Sequence, residues 1–265
     1  MKILILLFVV STLLFSKVYY SKVEPYEVRN LSSNVSGVVE YINEDMIGKK
    51  LTSDVYIRID SKLDTEELNY LKDKLVYLNN TVLVNENILE NMKESLKRKR
   101  DNYKKIENLK IKSRIEIDKE FYDLVSTENS YLSIQKEINT LKTQIADLNL
   151  RKAQLIRSIS DKNLNDQGFT LYSIDVKVGQ VVGMSTPLAQ IADTSKAILT
   201  IFLDETDVVN AKTKIVYIDE EKTDYKISRI LNIADSKNIS KYMAQIIIKS
   251  PKIFSKLAKI ELKDK

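Results

Sequence analysis

The stretch LNYLKDKLVYLNNTVLVNENILENMKESLKRKRDNYKKI, residues 68–106, decides the fold. Apolar side chains recur in it at steps that alternate between three and four residues, for more than five heptads. This spacing predicts a coiled coil, because it places two positions per heptad on one face of a helix. The first position of this seam is filled by Leu68, Leu75, Val82, Leu89, Leu96 and Tyr103, and the second by Leu71, Leu78, Asn85, Met92, Lys99 and Ile106.

A second run of the same kind extends from Ile117 to Ile159, after about ten residues in which the seam is lost. The region from Lys49 to Gln167 contains neither glycine nor proline, the two residues that most often interrupt regular structure. Two runs of similar length predict an antiparallel helical hairpin over residues 63–162, with its tip near 107–116. One continuous helix that dimerises is the alternative.

Short β segments of similar layout flank this region. Each contains a strand, a glycine turn (Gly48 in the first, Gly179 in the second) and further strand residues that end in an aspartate. Neither segment can bury enough apolar surface to be stable alone. We therefore expect residues 25–62 and 168–195 to be two halves of one β domain. Packing them together would also bring the two ends of the hairpin into proximity.

Residues 196–265 alternate between apolar and polar residues in several short runs, as in Ile198, Thr200 and Phe202. Such runs predict a small β-barrel. The acidic stretch from Asp204 to Asp207 within this region could be imagined as a metal site, but we expect it to cap a short helix or turn. The predicted fold class is therefore α+β.

The composition disfavours catalysis. The 265-residue chain contains no cysteine and no histidine. Disulfides, thiolate nucleophiles and zinc–thiolate sites are therefore excluded, and the commonest general base is missing. We expect a non-enzymatic protein with no cofactor and no metal.

The N-terminus predicts export. Lys2 is followed by a short apolar run and then by Ser16, the pattern of a cleaved signal peptide over residues 1–16. An uncleaved anchor, extended by Val18, Tyr19 and Tyr20, is the alternative.

The order of these motifs around a helical hairpin resembles the hemolysin-D-like membrane fusion proteins, the periplasmic adaptor subunits of tripartite export systems. The resemblance covers roughly residues 25–250, and its most specific positions are Gly37, Gly48, Gly179 and Pro187. It implies that the split β domain is a lipoyl-like sandwich, into which the hairpin is inserted and after which a small barrel follows.

The resemblance also implies partners and a location. An adaptor of this family would lie in the periplasm, associated with the inner membrane. It would bind an inner-membrane transporter of the ATP-binding-cassette or proton-driven type, a TolC-like outer-membrane channel, and further copies of itself as a trimer or hexamer.

In this family the hairpin tip commonly carries an arginine, a leucine four residues later and a serine seven residues after that, which meet the outer-membrane channel. The same spacing falls here on Asn102, Ile106 and Ser113. Asn102 departs from the pattern, and Arg100 is the residue that could substitute for it. In the alternative interpretation, Ile106 is simply the last seam residue and Ser113 a turn former.

Positive charge is concentrated at the predicted tip, with ten basic and three acidic residues between Lys93 and Arg114. A nucleic acid, a solvated coiled-coil face or an acidic protein rim could each account for this charge. We expect no nucleic-acid partner, because the chain is exported. An exported coiled-coil structural protein of the cell envelope, without a transport role, is the alternative function. A carrier subunit modified at Lys62 is a third.

Overall fold

The computed structural model describes residues 17–109, 111–234, 238 and 240–264. The predicted signal peptide or anchor, residues 1–16, lies outside the described residues. The elements, in chain order, are β1 (Val18–Ser32), β2 (Gly37–Ile42), β3 (Ile57–Ile59), α1 (Lys62–Ile106), α2 (Arg114–Asp161), β4 (Asn163–Leu164), β5 (Thr170–Ile174), β6 (Val181–Val182), β7 (Pro187–Asp204), α3 (Glu205–Val208), β8 (Ile215–Ile218), β9 (Glu221–Lys222), β10 (Ile227–Ala234), β11 (Lys241–Lys249) and β12 (Leu257–Lys263).

Helices α1 and α2, of 45 and 48 residues, form an antiparallel hairpin. Each is about 70 Å long at 1.5 Å per residue. Side-chain pairs tie the two helices together along this length: Arg151 bonds both oxygens of Glu67 near the base, at 2.8 and 2.9 Å, and Lys99 pairs with Asp123 near the tip, at 2.6 Å. The predicted hairpin is therefore confirmed, and the alternative of one continuous helix is wrong.

The seam predicted from the heptads is the seam that the structure buries. All twelve predicted seam positions of α1 are buried or half-buried, as the periodicity requires. Near the base, Leu68, Leu71 and Leu75 pack with Leu155 of α2 in one hydrophobic cluster. No helix in the described part of the chain combines the length and the hydrophobicity needed to cross a membrane.

The two flanks of the hairpin share one hydrophobic core. A four-stranded sheet, in the order β4-β3-β2-β6, takes β2 and β3 from before the hairpin and β4 and β6 from after it. The core beside it is built from both flanks, with Val39, Leu51, Tyr56, Ile57 and Ile59 from the first and Leu171, Val176, Val182, Leu188, Ala189 and Ile191 from the second. Both helices therefore leave one β structure. We call this structure, together with the larger sheet described next, the body.

A second, larger sheet has the order β10-β11-β7-β1-β12-β8-β9, with β5 also pairing with β7. Its strands surround another buried cluster, which includes Leu199, Ile201, Ala244 and Ile260. The buried residues of β7 in this cluster are Ala197, Leu199, Ile201 and Leu203, the register opposite to that of the sequence-derived set Ile198, Thr200 and Phe202. Strand β7 continues without interruption across residues 195 and 196, where the sequence suggested a domain boundary.

The 15-residue strand β1 has no counterpart in the sequence-based assignment. It pairs with β12 through residues 18–22 and with β7 through residues 23–32. The suggestion that Val18, Tyr19 and Tyr20 extend a membrane anchor is therefore wrong, because these residues form backbone pairs within the sheet.

Candidate functional site

The tip of the hairpin is a short connection between two capped helices. Helix α1 ends at Ile106, where the seam ends, and the N–H of Glu107 still bonds the carbonyl of Tyr103 at 2.9 Å. Two further backbone bonds close tight turns, from Leu109 to Ile106 at 3.0 Å and from Lys112 to Leu109 at 3.3 Å. These bonds hold together the described residues of the connection.

Ser113 begins α2 with a capping box. Its hydroxyl accepts the backbone N–H of Glu116 at 3.4 Å, and the Glu116 carboxylate accepts the backbone N–H of Ser113 at 3.0 Å. These bonds satisfy N–H groups that have no partner inside the helix. The backbone and hydroxyl donors of Ser113 also lower the pKa of Glu116 below its ordinary value. Ser113 thus has a clear role in fixing where α2 begins.

The four residues suggested by the family spacing occupy different environments. Ile106 is half-buried at the end of the seam, and Asn102 is exposed on α1. Arg100 forms an ion pair with Glu128 of α2, so its guanidinium is engaged across the hairpin. Asn102 and Ile106, four residues apart on α1, are neighbours on one face of that helix.

Two isoleucines at the tip were missed as site residues. The side chain of Ile111 is 95% exposed and that of Ile115 is 82% exposed, on either side of the Ser113 cap. Leu109 adds further exposed apolar surface. We call Leu109, Ile111 and Ile115 the apolar tip. Large apolar side chains grouped at an exposed end are characteristic of contact surfaces. The available signal in the sequence was apolar residues in the one segment without a seam.

Below the apolar tip, the last turns of the hairpin are braced by aromatic contacts. The rings of Tyr103 and Phe121 lie 5.7 Å apart, and those of Phe121 and Tyr122 lie 5.8 Å apart. Around this level, basic side chains point into solvent; they are Lys97, Arg98, Lys104, Lys105, Lys112 and Arg114. Exposed carboxylates of Glu107, Glu116 and Asp118 lie at this level too. The candidate site is therefore an apolar tip among charged side chains that are mostly basic.

The glycines and proline singled out from sequence lie in the body. A Cβ on Gly37 would come within 2.6 Å of Ile59 Cγ2, so this position needs the absence of a side chain. Gly48 and Gly179 have φ angles of +80° and +85°, which L side chains rarely adopt. Pro187 is the first residue of β7. All four shape the body, away from the tip.

Two further positions considered from the sequence are Lys62, as a modified carrier lysine, and the acidic stretch from Asp204 to Asp207, as a metal site. Both take part in ion pairs. Lys62 is the first residue of α1 and pairs with Glu40 at 2.8 Å, in a helical start instead of the tight turn of a carrier domain. Asp204 and Asp207 are ion-paired with Lys17, and Asp207 also accepts the hydroxyl of Tyr19, at 2.7 Å. Within the described residues, no group of three or more acidic side chains is placed to hold a metal ion.

No protein-family model matches the sequence, and no curated protein sequence matches it. Solved structures do. MacA from Actinobacillus actinomycetemcomitans superposes with a TM-score of 0.61 at 18% identity, covering 93% of this chain and 78% of that one. The membrane fusion protein Spr0693 from Streptococcus pneumoniae R6 also gives 0.61, at 13% identity, covering 94% and 100%.

A MacA–MexA chimera that contains the Pseudomonas aeruginosa MexA α-hairpin domain gives a TM-score of 0.53 at 15% identity, covering 94% of this chain and 81% of that one. The resemblance to membrane fusion proteins is thus confirmed at the level of the fold.

Proposed function

We propose that this protein is a periplasmic adaptor that links an inner-membrane transporter to a TolC-like outer-membrane channel for efflux or secretion. The observation that carries the proposal is the exposed apolar tip at the far end of the hairpin, which we also call the stalk. A hairpin about 70 Å long leaves one body and ends in an exposed apolar tip. Such a shape suits a protein that spans a gap and makes its contact at the far end.

The body would supply the ring at the inner membrane. In this proposal residues 25–62 and 168–195 are the two halves of a lipoyl-like sandwich, a view supported by the core that both flanks share. Residues 196–265 would form the small barrel, supported by the separate buried cluster of the larger sheet. Copies would pack side by side as a trimer or hexamer, associated with the inner membrane on its periplasmic side. The role is mechanical and needs no catalytic group.

The apolar tip would make the docking contact. Ile111 and Ile115 can be buried against a partner without breaking any bond within the hairpin, since both side chains are almost fully solvent-exposed. The surrounding lysines and arginines would steer the tip to an acidic rim, because opposite charge accelerates encounter and fixes orientation. Ser113 and Ile106 then serve by holding the turn in shape, and Arg100 by holding the two helices together.

The test is an export assay in cells carrying Ile111→Asp together with Ile115→Asp. We expect export to be lost while the amount of folded protein, measured by far-ultraviolet circular dichroism after purification, is unchanged. Leu63→Asp is the matched control, because Leu63 is 77% exposed but lies at the base of the hairpin. This control should export normally.

A photo-crosslinking residue at Lys112 identifies the partner directly. We expect crosslinking to an outer-membrane channel, identified by mass spectrometry, and loss of the crosslink in the double aspartate variant. Full export by that variant, or capture of only another coiled-coil envelope protein at the tip, would contradict the adaptor role.

A further inference from the structure

A cavity of about 570 Å³ lies on the larger sheet, lined by residues of β1, β5, β7 and β11. It is a half-open groove over β1 and β7, at the place where these strands pass from one hydrophobic core to the other. Its lining includes Tyr26, Tyr172, Gln190, Ile198, Gln245 and Phe254. A cavity of this size matches the range in which proteins bind small organic molecules.

The groove exists because the β1–β7 ladder is interrupted. Pro25 is level with Ala197, and Glu27 is level with Asp193, so Tyr26 alone stands opposite residues 194–196 of β7. Pro25 has no N–H to continue the ladder. The extra residues of β7 bulge, and the hydroxyls of Thr170 and Thr194 are joined at 2.7 Å on one side of the opening. The groove is therefore built into the strand pairing.

The lining favours a ligand that is aromatic and uncharged. Two tyrosines and a phenylalanine offer ring surfaces, and Ile198 and Ala192 are apolar. The amides of Gln190 and Gln245 and the threonine hydroxyls lining the groove can form hydrogen bonds.

The charges nearby are balanced or already engaged. Glu27 is bonded by Arg29 at 2.7 and 2.9 Å, Lys196 lies over the Tyr26 ring at 5.7 Å, and Lys22 and Glu24 carry opposite signs. An ion of either sign would gain no unbalanced counter-charge in this groove.

We propose that this groove binds a small, uncharged aromatic molecule that carries a hydrogen-bonding group. The ligand would contact residues that border both cores, with Tyr172 and Gln190 on the side of the hairpin base and Gln245 and Phe254 on the side of the larger cluster. The inference is independent of what the hairpin tip binds.

The absence of tryptophan from the chain gives a clean assay. Tyr172→Trp places the sole tryptophan at the groove. The probe is N-phenyl-1-naphthylamine, an uncharged aromatic amine that accepts energy from excited tryptophan. We expect saturable energy transfer at one probe per chain.

Tyr122→Trp is the matched control, because Tyr122 and Tyr172 are 69% and 68% exposed. Tyr122 lies about 60 Å along α2 from the base of the hairpin at 1.5 Å per residue. It should show no saturable transfer. Equal transfer to both tryptophans, or a signal that never saturates, would show that the probe merely coats exposed apolar surface and would overturn the proposal.

A second substitution tests the lining itself in the Tyr172→Trp background. Tyr26→Ala should weaken probe binding about fivefold, since an aromatic contact contributes roughly 1 kcal/mol. Tyr20→Ala, on the same strand but outside the groove, should leave binding unchanged. Unaltered affinity after Tyr26→Ala, in a protein whose circular dichroism matches that of its parent, would count against the groove as the site.

Discussion

Asp64 and Lys162 form an ion pair of 2.9 Å that joins the first turn of α1 to the residue directly after α2. The hydroxyl of Ser158 donates a second bond to the same carboxylate, also at 2.9 Å. Both charged side chains are largely shielded from solvent. This small network holds the base of the stalk at the point where both helices enter the body.

The base network predicts an acid-dependent contribution to stability. Burial alone would raise the pKa of Asp64, but the bonds from Lys162 and Ser158 prevail and hold it below 3.8. The ionised carboxylate therefore stabilises the fold above pH 3.8, and this contribution is lost as the pH falls through the lower folded value.

Asp64→Asn should cost about 1 kcal/mol of the free energy of unfolding at neutral pH. The variant should also lose less stability than the parent between pH 4 and pH 2, as measured by urea denaturation. Asp73→Asn, at an exposed position of the same helix, is the control and should behave like the parent. Identical acid profiles for Asp64→Asn and its parent would contradict the assigned role of the carboxylate.

Asn85 is a buried polar residue in the seam, and its Nδ2 is the single buried side-chain nitrogen or oxygen without a hydrogen-bond partner in the described part of the chain. Asn85→Leu should raise the free energy of unfolding by about 1–2 kcal/mol, because it removes an unsatisfied amide and adds apolar contact. Thermal unfolding followed by circular dichroism measures the change. The exposed Asn87→Leu on the same helix should give no such gain, and a destabilised Asn85→Leu would show that the amide has a partner after all.

The close approach of Gly37 to Ile59 predicts a severe effect from one added methyl group. Gly37→Ala should destabilise the protein by about 1–3 kcal/mol, since a contact of 2.6 Å forces the buried Ile59 to shift. Gly183→Ala is the matched control, because its nearest new contact is 3.9 Å and its backbone is not in the left-handed region. Equal melting temperatures for the two variants would refute the steric explanation.

The ion pair between Arg100 and Glu128 makes it possible to test whether Arg100 holds the two helices together or contacts a partner. Arg100→Glu should weaken the upper hairpin and reduce export, because it places like charges opposite each other. Adding Glu128→Arg should restore both helicity and export. If export stayed low in the well-folded double variant, Arg100 would itself contact the partner, as expected if it substitutes for Asn102 in the family spacing.

The hairpin could be read from the sequence because its signal is local and repeated. Every seam residue from Leu68 to Ile106 obeys one period, and the same side chains are buried or half-buried in the structure. Strand β1 could not be read in this way. Its inward face includes Ser21, which is buried and accepts the backbone N–H of Thr200 at 2.7 Å, so the apolar alternation is broken where the strand is most enclosed. Residues 18–32 form a strand because they pair with β12 and β7, and no local pattern in the sequence predicts this.

In the candidate site, too, some features follow from the local sequence and others depend on the tertiary arrangement. The turn and the helix start at Ser113 follow from the loss of the seam and from the Ser-x-x-Glu pattern that ends at Glu116. The pairing of Arg100 with Glu128 depends on how two distant helices align, which no neighbour in the sequence specifies. Ile111 and Ile115 lie outside the seam, but an apolar residue there could be packed or exposed, and the arrangement of the two helices decides which.

Strand β7 contributes to both cores in a single run from Pro187 to Asp204, whereas the hairpin leaves and re-enters through neighbouring strands, β3 and β4. The stalk is consequently a cassette: a graft of different length could be joined at β3 and β4 without touching the body. The body cannot be divided at β7 in the same way, because a break in β7 would disrupt both hydrophobic cores at once.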